Sequence, residues 1–342
     1  MSYTIDVYRG EVAAQKNILT FATYVTLFPQ LIAGPIVQYK TVEKELMHRK
    51  VTLEDFSEGA FRFSVGLAKK VLLANQIGSL WDSISQLNHM SVATAWLGAI
   101  AYSFQIYFDF SGYSNMAVGL GKTLGFDFPE NFDYPYSAHG IRDFWRRWHM
   151  SLTGWFREYL YIPLGGNRKG KARQILNTMI VFAATGIWHG ANLTFILWGL
   201  MHGILMCVET LIFKRRKLKS PAAWLYTIII VIIGFVIFRA DSVGYAFAYI
   251  GRMFSFVTEA SAMTVTLSVL TPVFIATFTA AVVMMFPVVP AIRRRLDGRP
   301  SYAAVNTLCY IAMFGLYFLC VLTLAADSYN PFLSLIHISE PT

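Results

Sequence analysis

The chain has 342 residues, 55% of them hydrophobic and only 14% charged, with a formal net charge of +9. A soluble domain of that size needs more polar surface to cover itself, so the composition implies a polytopic membrane protein. The positive charges sit in short loops between apolar runs, Arg168 to Arg173, Lys214 to Lys219 and Arg293 to Arg299. That placement marks cytoplasmic loops and argues against a nucleic-acid partner.

Met1 to Lys16 is polar and mixed, without the basic start, short apolar core and small-residue cleavage site of a signal peptide. Ile18 to Val37 is the first long apolar run, interrupted by Pro29, Gly34 and Pro35. Such breaks are tolerated where neighbouring protein or a water-filled cavity satisfies the freed backbone groups, so a kinked helix and a chamber wall both fit. Thr41 to Glu58 is charged and belongs in water or at the surface. Phe61 to Ile77 carries Lys69 and Lys70, which snorkel only near an interface; a tilted or partly embedded helix is expected. Val92 to Tyr107 reads as a span leading into Asp109, either a helix-terminal carboxylate at the headgroups or a buried partner for an arginine or histidine. Met116 to Gly125 continues apolar with small residues suited to close helix contact. Phe126 to Gly140 is expected as an ordered interfacial loop.

From Arg142 the pattern changes. At about 100° per residue, Trp145, Trp148, Leu152, Trp155, Phe156 and Tyr159 form one stripe, with Asp143, Arg146, Arg147, Arg157 and Glu158 largely opposite. This predicts a helix at the membrane interface, its aromatics at headgroup depth and His149 at the edge of the apolar stripe. After the loop NRKGKAR, Ile175 to His189 heads back across, Gly190 to Asn192 turn, and Leu193 to Phe213 returns to another basic loop. The two loops agree in charge, so the hairpin tip lies far from the cytoplasm, whether it spans or re-enters. Gly186-x-x-x-Gly190 and Gly199-x-x-x-Gly203 let a neighbouring helix approach closely. Ala222 to Phe238 is a span, Val243 to Phe256 with Arg252 is interfacial, and Met263 to Phe286 and Ala304 to Ala326 cross again. Cys207, Cys309 and Cys320 lie in apolar runs without CxxC spacing, which gives no sign of disulfides or metal. No fixed-period repeat and no second copy of the Pro29 to Pro35 break appear, against an inverted-repeat transporter.

Of the seven histidines, His48 and His89 lie in polar stretches and His139 in a loop. His189 ends an uncharged run, where an ionisable group is costly and needs a partner or a task. His149 is either an interfacial residue bonded to lipid or backbone, or functional. His202 reads as packing or support.

The segments FWRRWHMSLTGWFREYLYIPLGG, Trp188-His189-Gly190, YFDFSGYSNMAVG and LFPQLIAGPIVQY resemble the membrane-bound O-acyltransferase (MBOAT) family. The likeness is strongest to the bacterial branch acting in alginate O-acetylation and in D-alanine transfer to teichoic acid, and it runs from about Met1 to Phe332. It implies an all-α polytopic bundle with interfacial and re-entrant helices around a central tunnel, as one domain over 1–332. It also implies that Met1 is an internal methionine of a longer chain. Residues 333–342 depart from the family and read as a non-native tail. By the resemblance, His189 is the catalytic histidine and His149 a second functional position. Arg142, Arg146, Asp109, Trp188 and Asn192 are the candidates for substrate binding, although arginines in such a segment ordinarily anchor headgroups. A cytoplasm-facing arginine suits the phosphates of a CoA-like donor. No metal and no tightly bound cofactor are expected; acetyl-CoA or a similar donor is substrate. The implied partners are membrane lipid and a periplasmic or extracellular acetyltransferase, the implied location the inner membrane. The activity is acetyl transfer to an exported, alginate-like polysaccharide, with D-alanyl or other acyl transfer, transport or scaffolding as alternatives.

Overall fold

The structure, a computed structural model, describes residues 1–31, 34–85, 90–213, 219–255, 264, 266–268, 270–299 and 301–326. The expected tail over 333–342 lies outside the described residues, as do 214–218 of the basic loop. Among the described residues the regular structure is entirely helical.

Four short or middling helices come first: α1 (Ser2–Tyr8), α2 (Ile18–Thr26), α3 (Tyr39–Met47) and α4 (Leu53–Ala68). The apolar run from Ile18 is not one helix. A proline ring at position 29 would clash with the carbonyl one turn back and lacks an N–H, so α2 stops at Thr26 and only a short 3-10 turn, Phe28–Gln30, follows. α4 starts on a reciprocal cap, Thr52 with Asp55. It continues through a wide π-type turn, Lys69–Ala74, into α5 (Asn75–Ser85).

The central element is α6 (Val92–Thr123), 32 residues and about 48 Å long at 1.5 Å per residue. It runs unbroken through the FDFSGYS segment, so Asp109 lies within the helix and not at a headgroup-level end. Asp109 is buried and meets Lys70 Nζ at 2.5 Å. The buried-partner alternative therefore holds with a lysine in place of the expected arginine or histidine. Lys70 does not snorkel to an interface, because this carboxylate compensates its ammonium inside the protein. Glycines set the spacing beside that pair. A Cβ on Gly59 would meet Gly119 O at 2.6 Å, and one on Gly66 would meet Gly112 O at 2.5 Å, so α4 and α6 touch backbone to backbone.

The second half begins with α7 (Ile141–Arg147) and α8 (Met150–Phe156), followed by a second π-type turn, Arg157–Tyr161. The predicted single interfacial helix is thus broken, and its stripe is covered by protein. Trp145, Trp148, Leu152, Phe156 and Tyr159 are all buried. Trp145 packs on Phe182 and Trp198, and Trp148 on Phe235. The hairpin follows as α9 (Gly170–His189) and α10 (Leu193–Ile212), then α11 (Pro221–Arg239), α12 (Val243–Met253), α13 (Pro272–Met284), α14 (Val288–Leu296) and α15 (Ser301–Ala326). Among the described residues α10, α11 and α15 are long and apolar enough to cross a membrane, and α13 with α14 forms a pair bent by 60°.

Removing one member of a buried ion pair strands the other charge. Lys70→Ala is expected to lower stability by about 3–5 kcal/mol, and the double change Lys70→Met with Asp109→Leu to recover most of that loss. Thermal unfolding of the detergent-solubilised protein measures both; a Lys70→Ala protein as stable as the parent would contradict the pairing.

Candidate active site

The site starts where α7 starts. The first N–H groups of a helix have no partner within it, and where they are buried in protein they cannot use water. Gly140 N–H donates to Thr227 Oγ1 at 2.6 Å, Ile141 N–H to Glu209 Oε1 at 2.6 Å, and Arg142 N–H to Glu209 Oε2 at 3.1 Å. Thr227 belongs to α11 and Glu209 to α10, and both are buried. Two other helices therefore cap α7 with side-chain oxygens.

α7 ends at Arg147 because Trp148 is extended (φ −99°, ψ 128°) and His149 is left-handed (φ 45°, ψ 54°). Left-handed backbone is uncommon outside glycine, and here Asn131 holds it. Asn131 O accepts from Met150 N–H at 2.9 Å. Its Oδ1 accepts from Ser151 N–H at 3.1 Å and Ser151 Oγ at 2.9 Å, and lies 3.1 Å from His149 Nδ1. An oxygen already accepting from a backbone N–H fixes the direction of the third bond: Nδ1 donates. In the neutral ring Nε2 then carries the lone pair. The ring is buried and packs edge-to-face on Phe110 of α6 at 4.7 Å between centroids.

His189 is the last residue of α9, and Gly190 at φ 151° turns the chain. A Cβ at Gly190 would stand 2.9 Å from the Phe195 ring. The two arms of the hairpin meet at small residues as expected: a Cβ on Gly186 would meet Phe195 O at 2.6 Å, and one on Gly199 would meet Phe182 O at 2.4 Å. The His189 ring lies among Trp188 (4.9 Å), Phe238 (5.1 Å) and Trp198 (5.3 Å). Its Nδ1 is buried and has no hydrogen-bond partner among the described residues. Trp188, half-exposed, also reaches the His149 ring at 6.3 Å, so one indole touches both imidazoles.

Three sequence-predicted residues thus come together: His149, Trp188 and His189. Asn192 sits beside them at the tip, where Oδ1 caps α10 through Thr194 N–H at 3.1 Å and Nδ2 donates to Asp241 O at 3.0 Å. Asp109 is engaged by Lys70, although its neighbour Phe110 touches His149. Arg142 lies 3.8 Å from Glu209, Arg146 is exposed and paired with Asp143, and Arg147 is shared by Asp143 and Asp133 at 3.2 and 3.3 Å. Burial alone would raise the Asp143 carboxyl, but the hydrogen bond from Arg146 and the Arg147 charge outweigh it and hold it below the ordinary carboxylate value. His202 packs among Trp145, Trp198 and Phe144.

Glu209 and Asn131 were not foreseen. Glu209 had a signal, since it is a carboxylate within the apolar run 193–213, where charge is expensive. Asn131 had none, being one polar residue in a polar loop. Among the described residues no group of three or more His, Cys, Asp or Glu side chains is placed to hold a metal ion.

A family model described as MBOAT, membrane-bound O-acyltransferase family, matches residues 11–250. The chain is 46% identical over 258 residues to a probable alginate O-acetylase AlgI of Pseudomonas fluorescens, covering 75% of this chain and 52% of that protein. It is 40% identical over 236 residues to a peptidoglycan O-acetyltransferase of Helicobacter pylori, covering 66% and 45%. To a teichoic acid D-alanyltransferase of Bacillus subtilis it is 29% identical over 206 residues, covering 57% and 52%. The chain spans about half the length of these relatives.

The left-handed backbone at position 149 makes a stability prediction that needs no assay of activity. A Cβ costs about 1–2 kcal/mol in that conformation. His149→Gly is therefore expected to be more stable than His149→Ala by roughly that amount. Equal unfolding midpoints for the two variants would show that the backbone there is not left-handed.

Proposed function

Because the chain belongs to the membrane-bound O-acyltransferase family, we propose that it passes an acetyl group from a cytoplasmic donor across the membrane, for O-acetylation of an exported polysaccharide of the alginate kind. The observation that carries this reading is the His189 imidazole at a hairpin tip, its Nδ1 without a partner among the described residues, joined through Trp188 to a second buried histidine. The greater identity to the alginate O-acetylase than to the D-alanyltransferase, 46% against 29%, favours acetyl over D-alanyl.

Two basic loops flank the hairpin in sequence, and α9 rises about 30 Å over its 20 residues from the first of them to His189. The donor, acetyl-CoA or a comparable thioester, presents its carbonyl from the cytoplasmic side. The acceptor hydroxyl approaches from the other. A neutral imidazole takes the hydroxyl proton as the oxygen attacks, the C–O bond forms, the C–S bond breaks, and the proton leaves with the thiol. His149 has Nδ1–H committed to Asn131, which leaves Nε2 as an acceptor and gives this ring no N–H for the oxyanion. The donor to the developing oxyanion in this reading is an amide of the hairpin turn. Trp188 stacks beside the reacting groups, and the exposed Arg146 is the guanidinium best placed in solvent for donor phosphates. Base and nucleophile both come from protein and substrate, so the reading uses no metal and no resident cofactor. It places the chain in the inner membrane and assigns transfer onto the glycan to a periplasmic or extracellular acetyltransferase.

The test is transfer from labelled acetyl-CoA in proteoliposomes. His189→Ala, at equal membrane abundance, is expected to lose about 10²- to 10⁴-fold in rate, the usual contribution of a positioned general base. His149→Ala is expected to lose less. Undiminished transfer by His189→Ala would remove the histidine from the chemistry.

A further inference from the structure

Glu209 is a buried carboxylate in the last turn of an otherwise apolar helix, and the acyl-transfer scheme above does not use it. Its position is nonetheless singular. It lies on α10, the second arm of the hairpin that carries His189, and both its oxygens are spent on the first N–H groups of α7, the helix that leads into His149. Thr227 of α11 captures the N–H immediately before them. Three consecutive amides that burial in protein would leave unsatisfied are thereby bound from two neighbouring helices. The ionised carboxylate is also the form that a helix N-terminus prefers, because the unpaired N–H groups carry partial positive charge there. Arg142 Nε at 3.8 Å supplies a further positive neighbour.

We propose that Glu209 is a positioning residue that sets the distance between the two histidines. The inference rests on the reading of His189 and His149 as the acyl-transfer site. The linkage is short and rigid. α10 is clamped to α9 by the close contacts at Gly186 and Gly199, and His189 ends α9. Glu209 pins the start of α7, and Trp148 and His149 follow its last turn. The aromatic faces of α7 then seat on the same hairpin, Trp145 against Phe182 and Trp198, and Phe144 against His202. Apolar contacts of this kind are non-directional and tolerate sliding, whereas charge-assisted hydrogen bonds of 2.6 and 3.1 Å to two successive amides fix register and tilt together. A glutamine keeps one acceptor and opposes its amide N–H to the second backbone N–H, so it restores half of the cap. Alanine restores none.

The experiment has two arms on the membrane-embedded chain in lipid nanodiscs. In the first, acetyl transfer is followed for the parent, Glu209→Ala, Glu209→Gln and His189→Ala. Misplacing a reacting group by about 1 Å costs up to about a hundredfold, so Glu209→Ala is expected to lose roughly tenfold to a hundredfold in kcat, with donor KM changed by less than about twofold, and Glu209→Gln to fall between it and the parent. In the second, hydrogen exchange is measured without substrate. Faster exchange confined to the peptide around residues 139–150 is expected in Glu209→Ala, and a smaller change in Thr227→Val. Parental kcat in Glu209→Ala, with His189→Ala inactive, would overturn the positioning role and leave the function standing. Exchange accelerated equally across all helices, with the loss of kcat in both Glu209 variants matching their loss of folded protein, would make Glu209 a general stabiliser and also overturn it. Were the parent itself to transfer nothing, the functional reading would fall, and the exchange arm would still decide whether Glu209 holds α7.

Discussion

A backbone amide buried in protein has no water to fall back on, and the layout of this protein follows from how one short helix meets that constraint. α7 begins in the interior with three amides unpaired by any helix of its own, and side chains of α10 and α11 take them. Its far end has the complementary problem, since the chain leaves the helix at Trp148 and restarts at Met150. There Asn131 supplies both its carbonyl and its side-chain oxygen. The imidazole of His149 is thus the product of two solved capping problems. Neither solution is local in sequence: Glu209 and Thr227 lie 67 or more residues away from the amides they bind.

The partner imidazole is placed by a different means. The hairpin of α9 and α10 has almost no polar contact between its arms; it closes because Gly186 and Gly199 let backbone approach backbone. Aromatic rings then fill the space at its tip, so that His189 is walled by Trp188, Trp198 and Phe238. Hydrogen bonds thus determine one histidine and steric fit the other, and Trp188 touches both. A third device, the Lys70 to Asp109 pair, fastens the π-type turn after α4 to α6, one residue away from Phe110, which forms a wall for His149.

The sequence was most informative where composition or local chemistry decides structure. The hairpin, its Gly190 turn and the apolar helices α10, α11 and α15 could be read directly, because apolar length, loop charge and glycine spacing are properties of a few adjacent residues. It misled where tertiary contacts override periodicity. The stripe from Trp145 to Tyr159 has the pattern of an interfacial helix, yet an apolar face fits a protein interior as well as a headgroup layer, and the pattern cannot register a left-handed residue at 149. The break at Pro29 in the run from Ile18 was legible from the ring's missing N–H, and α2 does stop three residues before it. Asp109 was legible as a buried charge, but not the identity of its partner, since Lys70 stands 39 residues before it. Asn131 left no trace at all, and Glu209 left one that only its unusual surroundings betray.

The left-handed backbone at position 149 narrows what that position can ever hold. β-branched and bulky side chains are disfavoured there, while Asn, Asp, His and Gly enter the region with comparative ease. Of these, only histidine offers a nitrogen donor to Asn131 Oδ1 together with a second nitrogen on the far side of its ring. The local fold thus leaves one side chain that can hold Asn131 with one edge and present a lone pair with the other.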